Sequence, residues 1–346
     1  MSSGFSSEKL KAEALRLGFF TCGIAEARPV ASDVAAHYRQ WIARGGHAGM
    51  QYLEHHIDMR LDPTLLLPDA RSIIVVALNY APSQSFPEGE YQLAAYAYGK
   101  DYHDVLKRRL QQLLQMDMFD GMPSKIATDT VPILERYWAQ QAGIGFIGRN
   151  HQLVIPHAGS MFFLGEIVTA VPFDVYDKPM ANQCGTCRKC IDACPTGALN
   201  AGGNVGAGPP SNSSCSFFDS RLCLSYLTIE NRNDIDETLK SKLGNTIYGC
   251  DRCQQACPWN RFSKPTDIPE LQPSEELMTM RRSSWHNLSV DDYRRLFKGS
   301  AVKRAKYDGL MRNIRAAEEY GWKSAERQSI EGSTLEPSAQ TPDCRE

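Results

Sequence analysis

The stretch "CGTCRKCIDACPTGAL", Cys184 to Leu199, places four cysteines at intervals of three, three and four and follows the last with proline. Disulfides are typical of short secreted domains, whereas this chain has 346 residues and begins MSSGFSSEKL, with no apolar signal core. Zinc sites usually combine two CxxC pairs a dozen or more residues apart. The spacing CxxCxxCxxxCP is instead that of bacterial ferredoxins, whose fourth cysteine ligates a different cluster from the first three. It therefore predicts a two-cluster iron–sulfur fold and a second group of cysteines.

The second group is present in "YGCDRCQQACPWN", where three further cysteines read CxxCxxxCP. Two cubane clusters need eight thiolates, and the two runs together supply seven. Exchange of the terminal cysteines between the runs predicts two ligand sets: Cys184, Cys187, Cys190 and Cys257 for one cluster, and Cys194, Cys250, Cys253 and one more cysteine for the other.

The missing ligand has two candidates between the runs, Cys215 and Cys223. Cys215 lies in "AGGNVGAGPPSNSSCS", a composition typical of a flexible loop. Cys223 lies in "DSRLCLSYLTIE", whose apolar periodicity indicates an ordered segment. We therefore assign Cys223 to the second cluster and expect Cys22, Cys215 and Cys344 to be free thiols.

Composition indicates an ordinary soluble protein, with 42% hydrophobic residues and a net charge of −2. The sequence has no run approaching 18 apolar residues, so no transmembrane helix is expected. Thiolate-bound clusters are sensitive to oxygen and fit a reducing compartment, which predicts a cytoplasmic location.

Helical and strand patterns predict an α+β protein in four parts. Residues 1–175 alternate helices and strands in an α/β domain, including a helix expected to start near Pro132. The cluster domain is expected over 176–262, a basic helical segment over 263–321, and a polar, disordered tail over 322–346.

The basic segment contains ten Lys or Arg residues between Arg281 and Arg315 against three Asp, a local charge of +7 that the overall balance hides. A charged run is often no more than a solvated helix face. The density of "GSAVKRAKYDGLMRN" and the neighbouring aromatic residues favour phosphate binding as the alternative.

Several stretches taken together, in order along the chain, resemble the epoxyqueuosine reductase family: "DTVPILERYWAQQAGIGFIGRN", "GSMFFLGEIVT", "CGTCRKCIDACPTGAL", "CLSYLTIE", "GNTIYGCDRCQQACPWN" and "GSAVKRAKYDGLMRN". The resemblance implies reduction of epoxyqueuosine to queuosine at the wobble position of tRNA. It implies a nitroreductase-like domain holding base-off cobalamin without a protein histidine ligand, and two [4Fe–4S] clusters that feed it electrons. It also supports Cys223, and it implies a short form without the HEAT-like C-terminal module of many members.

The resemblance also nominates individual residues. It implies that Asp129 is the proton donor, and that cobalamin contacts come from Arg60, Tyr98, Asp129, Asn150 and Ser160. The tRNA contacts are expected in the basic segment at Lys303, Arg304, Lys306 and Arg312. The implied partners are tRNA carrying epoxyqueuosine in its anticodon and an external electron donor of flavodoxin or ferredoxin type. No membrane partner is expected, and the chain is expected to be a monomer.

The proton chemistry of Asp129 is open at the level of sequence. Removing an epoxide oxygen to leave an alkene takes two electrons and two protons. A carboxylate just before a helix is stabilised as the anion, whereas burial over a cofactor would raise its pKa. Asp129 would otherwise only cap the helix. His103 and His151 are further residues that could contact substrate or cofactor.

Two other classes of protein share parts of this pattern. A reductive dehalogenase-like enzyme acting on a small molecule would have the same cofactors but no use for the +7 segment. A ferredoxin-type electron-transfer protein would need only the cluster domain, which leaves the α/β domain unexplained.

Overall fold

The computed structural model describes residues 5–200 and 217–332, with side chains up to residue 320. The predicted loop around Cys215, the thiol of Cys344 and the part of the predicted tail beyond residue 332 lie outside the described residues.

The N-terminal part of the chain forms five helices and seven strands: α1 Ser7–Arg16, β1 Thr21–Glu26, α2 Ser32–Ala43, α3 Ile57–Leu61, β2 Ser72–Asn79, β3 Gln92–Leu93, α4 Tyr102–Leu113, β4 Ser124–Ala127, α5 Glu135–Gln141, β5 Phe146–Ile147, β6 Leu153–Val154 and β7 Phe162–Thr169. Four of the strands build one antiparallel sheet in the order β1-β2-β7-β4. The mixture of helices and strands expected for this part of the chain is confirmed.

The central strand β2 is buried along nearly its whole length, because its apolar run "SIIVVALN" has a core on each face. Ile74 and Val76 face one core with Leu106 and Leu110 of α4, and Ile73 and Val75 face the other with Trp138 of α5. The sheet is therefore the middle layer between helices, as expected for an α+β domain.

The cluster region is built from short elements: α6 Lys189–Asp192, α7 Leu224–Ile229, α8 Glu237–Lys240, β8 Thr246–Tyr248 and α9 Arg252–Gln255. Strand β8 pairs in parallel with β3 of the N-terminal part. Ile247 and Tyr248 consequently complete the apolar core that contains Ile74, and the two parts share one interior.

The C-terminal segment forms α10 Glu275–Thr279, α11 Arg282–His286, α12 Val290–Leu296 and α13 Lys306–Gly332. Trp285 and Leu310 are fully buried in the same core as Ile74. The fully buried amide of Asn313 donates to the carbonyls of Thr228 and Ile247, both at 2.8 Å. The basic segment is therefore packed onto both preceding parts.

Two helix boundaries differ from the sequence-based expectations, and one helix was not predicted. Helix α5 begins at Glu135, because Pro132 and its neighbours form a bend that precedes the helix. Helix α13 ends at Gly332, beyond residue 321, since the added residues are mostly good helix formers. Helix α2 carries no fully buried residue, so its periodicity was too weak to predict it. In the part of the chain described, no helix is both long and apolar enough to cross a membrane.

Candidate active site and cluster centres

Four thiols line one cavity of about 300 Å³: Cys184, Cys187, Cys190 and Cys257. Gly185 has φ +54°, and the Cys187 N–H donates to the Cys184 carbonyl at 3.1 Å, so the chain turns tightly and directs neighbouring thiols inward. The cavity also contains Trp259. Cys257 belongs to the second run, so the geometry agrees with exchange of the terminal cysteines between runs.

The other four predicted ligands also lie together. Burial, followed by the charges of nearby thiols that include Cys250, Cys223 and Cys194, raises the pKa of Cys253. Burial likewise raises the pKa of Cys223, and the neighbouring Cys194 contributes to this rise. Thiols crowded in this way keep their protons until a metal replaces them. The arrangement therefore fits a second metal-bound group that includes Cys223.

The spacing of these thiols distinguishes a cluster from a single ion. Among the residues with described side chains, no three His, Cys, Asp or Glu side chains converge closely enough to hold one metal ion. A zinc site would require such convergence, whereas in an iron–sulfur cluster each thiolate binds its own iron atom. The cysteine groups therefore fit clusters better than zinc.

Asp129 lies between strand β4 and helix α5 in the left-handed backbone region, at φ +54°. Its carboxylate accepts a hydrogen bond from the Tyr102 hydroxyl at 2.6 Å, and its backbone N–H donates to Glu135 Oε1 at 2.5 Å. The side chain is nevertheless 59% exposed. Left-handed backbone costs free energy in a non-glycine residue, so these contacts hold a strained residue with its carboxylate open to an incoming group.

His103 connects Asp129 to a second carboxylate. Its Nδ1 lies 2.6 Å from Asp101 Oδ1, and its Nε2 lies 3.6 Å from Asp129 Oδ2. Burial opposes protonation of His103, but hydrogen bonding with Asp101 and Asp129 outweighs it and raises the pKa of His103 to about 9. The imidazole is consequently protonated at neutral pH.

These contacts resolve the question about Asp129. The neighbouring His103 imidazolium lowers the pKa of Asp129, and the hydrogen bond from the Tyr102 hydroxyl adds to this effect against the opposing effect of burial. Asp129 is not a helix cap, because α5 begins six residues later and Leu134 occupies the cap position. The carboxylate is therefore ionised because of a neighbouring imidazolium and phenol, and the helix terminus is not the cause.

Two further carboxyl groups lie near this site, the partly buried Glu135 and the buried Glu166. Burial, then the charge of Asp129, raises the pKa of Glu135 to about 7. Glu166 on β7 is fully buried and neither of its oxygens has a hydrogen-bond partner in the described part of the chain. Burial, with Glu135 and Asp129 nearby, raises the pKa of Glu166 well above its usual range, so this carboxyl is neutral.

The residues nominated for cobalamin are placed in different surroundings. Tyr98 is buried in the core with its ring 5.2 Å from that of Phe86. Ser160 is buried and accepts a hydrogen bond from Asn260 at 3.0 Å. Both side chains are thus engaged within the protein.

Asn150 and Arg60 are the other two residues nominated for contact with cobalamin. Asn150 is buried at the first cluster cavity, where its amide donates to the Cys253 carbonyl at 3.4 Å. Arg60 has a buried Nε with no hydrogen-bond partner in the described part of the chain. Arg60 and Asp129 both act electrostatically on Tyr52, whose ring is 46% exposed. Of the four, only Arg60 combines an unpartnered side-chain nitrogen with a place beside Tyr52, a residue that feels the charge of Asp129.

The residues nominated for tRNA contact also lie in different surroundings. Lys303 and Lys306 are exposed and form no ion pair or side-chain hydrogen bond with any described residue. Arg304 makes a bidentate ion pair with Glu230, at 2.7 and 2.8 Å. The structure places Lys303 and Lys306 as exposed charges beside a paired Arg304.

Arg312 forms its hydrogen bonds within the protein. Its guanidinium donates to the carbonyls of Leu227, Asn231 and Asn233 at 2.8, 2.9 and 2.5 Å. The loop after α7 turns its carbonyls toward α13 and occupies the donors that a phosphate would need. The expectation that Arg312 contacts tRNA is therefore not supported by its geometry.

We expect Arg312→Ala to destabilise the protein by about 2 kcal/mol, because hydrogen bonds to a charged donor are lost and carbonyls lose their partner. The measurement is the thermal unfolding midpoint of the cluster-loaded protein. Arg315→Ala on the same helix, which removes an exposed arginine, is the control and should leave the midpoint unchanged. An unaltered midpoint in Arg312→Ala would mean that these hydrogen bonds do not stabilise the fold, and the expectation that Arg312 contacts tRNA would stand.

Sequence reasoning missed Asp101, Tyr102, Glu135 and Glu166. The polar triplet Asp-Tyr-His at the start of a helix was a signal for the first two. Nothing in the sequence marks Glu166, which stands in an apolar strand.

Comparison with known families matches two parts of the chain. Residues 60–130 match the family described as "Epoxyqueuosine reductase QueG, DUF1730". Residues 183–260 match the "4Fe-4S double cluster binding domain". The second match contains seven of the predicted cysteine ligands from the two runs together with Cys223, so the chain carries a domain that binds two [4Fe–4S] clusters.

Curated relatives resemble nearly the whole chain. The epoxyqueuosine reductase of Cellulophaga algicola is 39% identical over 310 residues, which cover 89% of this chain and 96% of the relative. That of Pseudomonas aeruginosa is 33% identical over 317 residues, covering 89% of this chain and 83% of the relative.

Solved structures agree with these sequence matches. An epoxyqueuosine reductase bound to an epoxyqueuosine-modified tRNA-Tyr stem loop superposes with a TM-score of 0.79 at 28% identity, covering 93% of this chain and 83% of that one. The Bacillus subtilis epoxyqueuosine reductase superposes with the same TM-score and identity, covering 96% and 86%. The agreement extends over both the sheet domain and the cluster region.

Proposed function

The chain belongs to the epoxyqueuosine reductase family, and from this premise we propose that it reduces epoxyqueuosine to queuosine at the wobble position of tRNA. One observation supports this proposal above the others. Two groups of four cysteines and the site around Asp129 lie in one packed structure. A ferredoxin-type carrier would not need the Asp129 site. A small-molecule dehalogenase is not favoured, because the relatives more than 30% identical to this chain and the structures that superpose with a TM-score near 0.8 are epoxyqueuosine reductases.

This activity assigns a role to each part of the chain and to each cofactor. Residues 1–175 form the catalytic domain, 176–262 hold the two clusters, and 263–321 provide the basic surface. The cluster ligands are those predicted from the sequence, and the two thiol groups fit them. When bound, reduced cobalamin supplies a low-potential nucleophile for carbon, and the clusters supply single electrons. Base-off binding without a histidine ligand remains a prediction.

Arg60 is the residue whose surroundings best fit a contact with cobalamin. Its unpartnered Nε can donate to a phosphate or amide oxygen of the cofactor tail. Tyr98, Asn150 and Ser160 act within the protein, where they support the packing of the cluster region against the sheet domain. They position the cofactor site indirectly.

Asp129 is the residue that delivers a proton to the substrate. Its carboxylate is exposed, and its backbone is fixed by the hydrogen bond to Glu135. Tyr102 orients the carboxylate by donating to Oδ2. The contacts leave the other carboxylate oxygen available to the epoxide oxygen.

The partners follow from this activity. The relative bound to a modified stem loop supports tRNA as the substrate of this chain. Tyr52 and Arg304 lie close enough to Asp129 to interact with its charge, and Arg60 acts in turn on Tyr52, which places an exposed aromatic ring and a cation beside the reacting position. An external donor of flavodoxin or ferredoxin type supplies electrons to a cytoplasmic monomer.

The direct test is anaerobic incubation of the cluster-loaded and cobalamin-loaded protein with a reductant and epoxyqueuosine-containing tRNA. Digestion and mass analysis should show a nucleoside lighter by one oxygen. A protein with full iron and cobalamin that leaves the nucleoside unchanged would overturn the proposal.

A second prediction concerns the basic surface. Replacing both Lys303 and Lys306 with Glu should weaken tRNA binding and flatten its dependence on salt, because fewer counterions are released per complex. Loss of two phosphate contacts would reduce the slope of log affinity against log salt by about two. Arg304 is left intact because its ion pair with Glu230 has a structural role.

The matched control carries the same charge change elsewhere, as Lys9→Glu with Lys125→Glu on α1 and β4, where both lysines are exposed. This control should keep most of the wild-type salt slope. Equal slopes in the two double variants would show that the basic segment acts only through net charge or as a solvated face.

A further inference from the structure

The proton requirement of the reaction exceeds what Asp129 can hold. The epoxide oxygen leaves as water, so two protons must reach it as two electrons enter. Asp129 is ionised at neutral pH in its present surroundings, and Tyr102 holds its proton firmly because burial and the Asp129 charge raise its pKa. A residue that carries a proton beside Asp129 is therefore needed.

We propose that His103 holds the proton that Asp129 passes to the departing epoxide oxygen, and that Asp101 orients the His103 imidazole for this transfer. The geometry carries the proposal: Asp101 Oδ1 binds Nδ1 at 2.6 Å, which leaves Nε2 directed at Asp129 Oδ2, 3.6 Å away. This rests on the proposed reduction of epoxyqueuosine.

The two carboxylates around one imidazole explain why the proton stays there. Asp101 also accepts the backbone N–H of His103 at 3.1 Å, so it caps helix α4 and fixes the imidazole with one side chain. The ring of Tyr102 stacks on that of His103 with centroids 4.1 Å apart. The imidazole is thereby held in one orientation with its proton between His103 and Asp129.

A proton moves from His103 Nε2 to the nearer Asp129 oxygen, Oδ2. The protonated carboxyl, whose side chain is 59% exposed, turns about its Cβ–Cγ bond and gives that proton to the epoxide oxygen. Both carbon–oxygen bonds break, and a carbon–carbon double bond forms. The external donor provides the two electrons. The oxygen leaves as water after a second proton, which His103 takes up from solvent through its 32% exposed side chain.

The His103–Asp129 pair titrates as one unit, since its members share a proton. The other titratable and charged groups that face it come from several elements: Asp101 and Tyr102 at the start of α4, Tyr52 between α2 and α3, Glu135 and Arg136 on α5, Glu166 on β7, and Arg304 in the basic segment. Below about pH 9 the pair holds its proton, and it loses that proton as the pH rises through about 9.

The test is the pH dependence of single-turnover conversion by pre-reduced holoenzyme, which removes electron delivery from the comparison. The wild-type rate should fall as pH rises through about 9. His103→Gln should lower the rate at neutral pH by about 10² and abolish this fall. Asp101→Asn should shift the fall to lower pH, since one of the two carboxylates that raise the pKa of His103 is lost.

Asp104→Asn is the matched control, because it removes an exposed carboxylate from the same turn of α4 and has no contact with His103. It should keep the wild-type profile. Iron content and tRNA affinity are measured for each variant, and Asp101→Asn tests the inference if His103→Gln does not fold. A wild-type alkaline fall retained in His103→Gln, or unshifted in Asp101→Asn, would overturn the role of His103. A wild-type protein that converts no epoxyqueuosine would overturn the proposed function instead.

Discussion

Replacing Asp129 with asparagine is expected to lower single-turnover conversion of epoxyqueuosine-tRNA by about 10²–10⁴, the usual contribution of a positioned proton donor. The amide has almost the same shape and keeps the backbone N–H that donates to Glu135. It cannot carry the proton from His103 to the epoxide oxygen. The rate is measured with pre-reduced enzyme, so that cluster reduction does not enter the comparison.

Binding should survive this substitution. Iron content, cobalamin binding and tRNA affinity are expected to stay near their wild-type values, because the Asp129 side chain is exposed and supports no core packing. Asp129→Glu is expected to recover part of the rate if its longer side chain still reaches His103. Near-normal turnover by Asp129→Asn would mean that another group protonates the substrate directly.

Replacing Cys223 with alanine is expected to remove one of the two clusters. Iron should fall from about eight to about four per chain, because two Cys₄ sites bind two four-iron clusters. Multiple turnover should be lost, since electrons can no longer pass along both clusters. The measurement is iron content and reduced-cluster spectroscopy after anaerobic reconstitution.

Two other thiols serve as controls for this experiment. Cys22→Ala changes a buried cysteine of strand β1 that belongs to neither thiol group, and Cys215→Ala changes the competing candidate from the sequence. Both variants should keep about eight irons. Loss of iron in Cys215→Ala with retention in Cys223→Ala would transfer the ligand role to Cys215.

The cluster ligands could be predicted from the sequence because thiolate chemistry depends on residue type, and the spacing of each run depends on a few local turns. The strands of the main sheet could also be predicted from the sequence, because apolar runs such as that of β2 reflect burial directly. The family followed from the order of several such stretches.

The roles of Arg312, Tyr98 and the neighbours of Asp129 depended on the tertiary structure. Arg312 is one more basic residue in the sequence, and its use as a ligand for backbone carbonyls depends on a loop about eighty residues earlier. Tyr98 could be assigned to the core only once Phe86 and the C-terminal helices were packed around it.

Sequence alone therefore predicted which cysteines bind the clusters and which family the chain resembles, because both predictions depend on residue identity and short spacing. Only the tertiary structure showed that His103 lies between the carboxylates of Asp101 and Asp129. Asp129 and His103 are separated by 26 positions along the chain, and their protonation states follow from a 3.6 Å separation and from the second carboxylate at Asp101. A pKa is a property of surroundings, and those surroundings form only when strand β4 and helix α4 are brought together against β7.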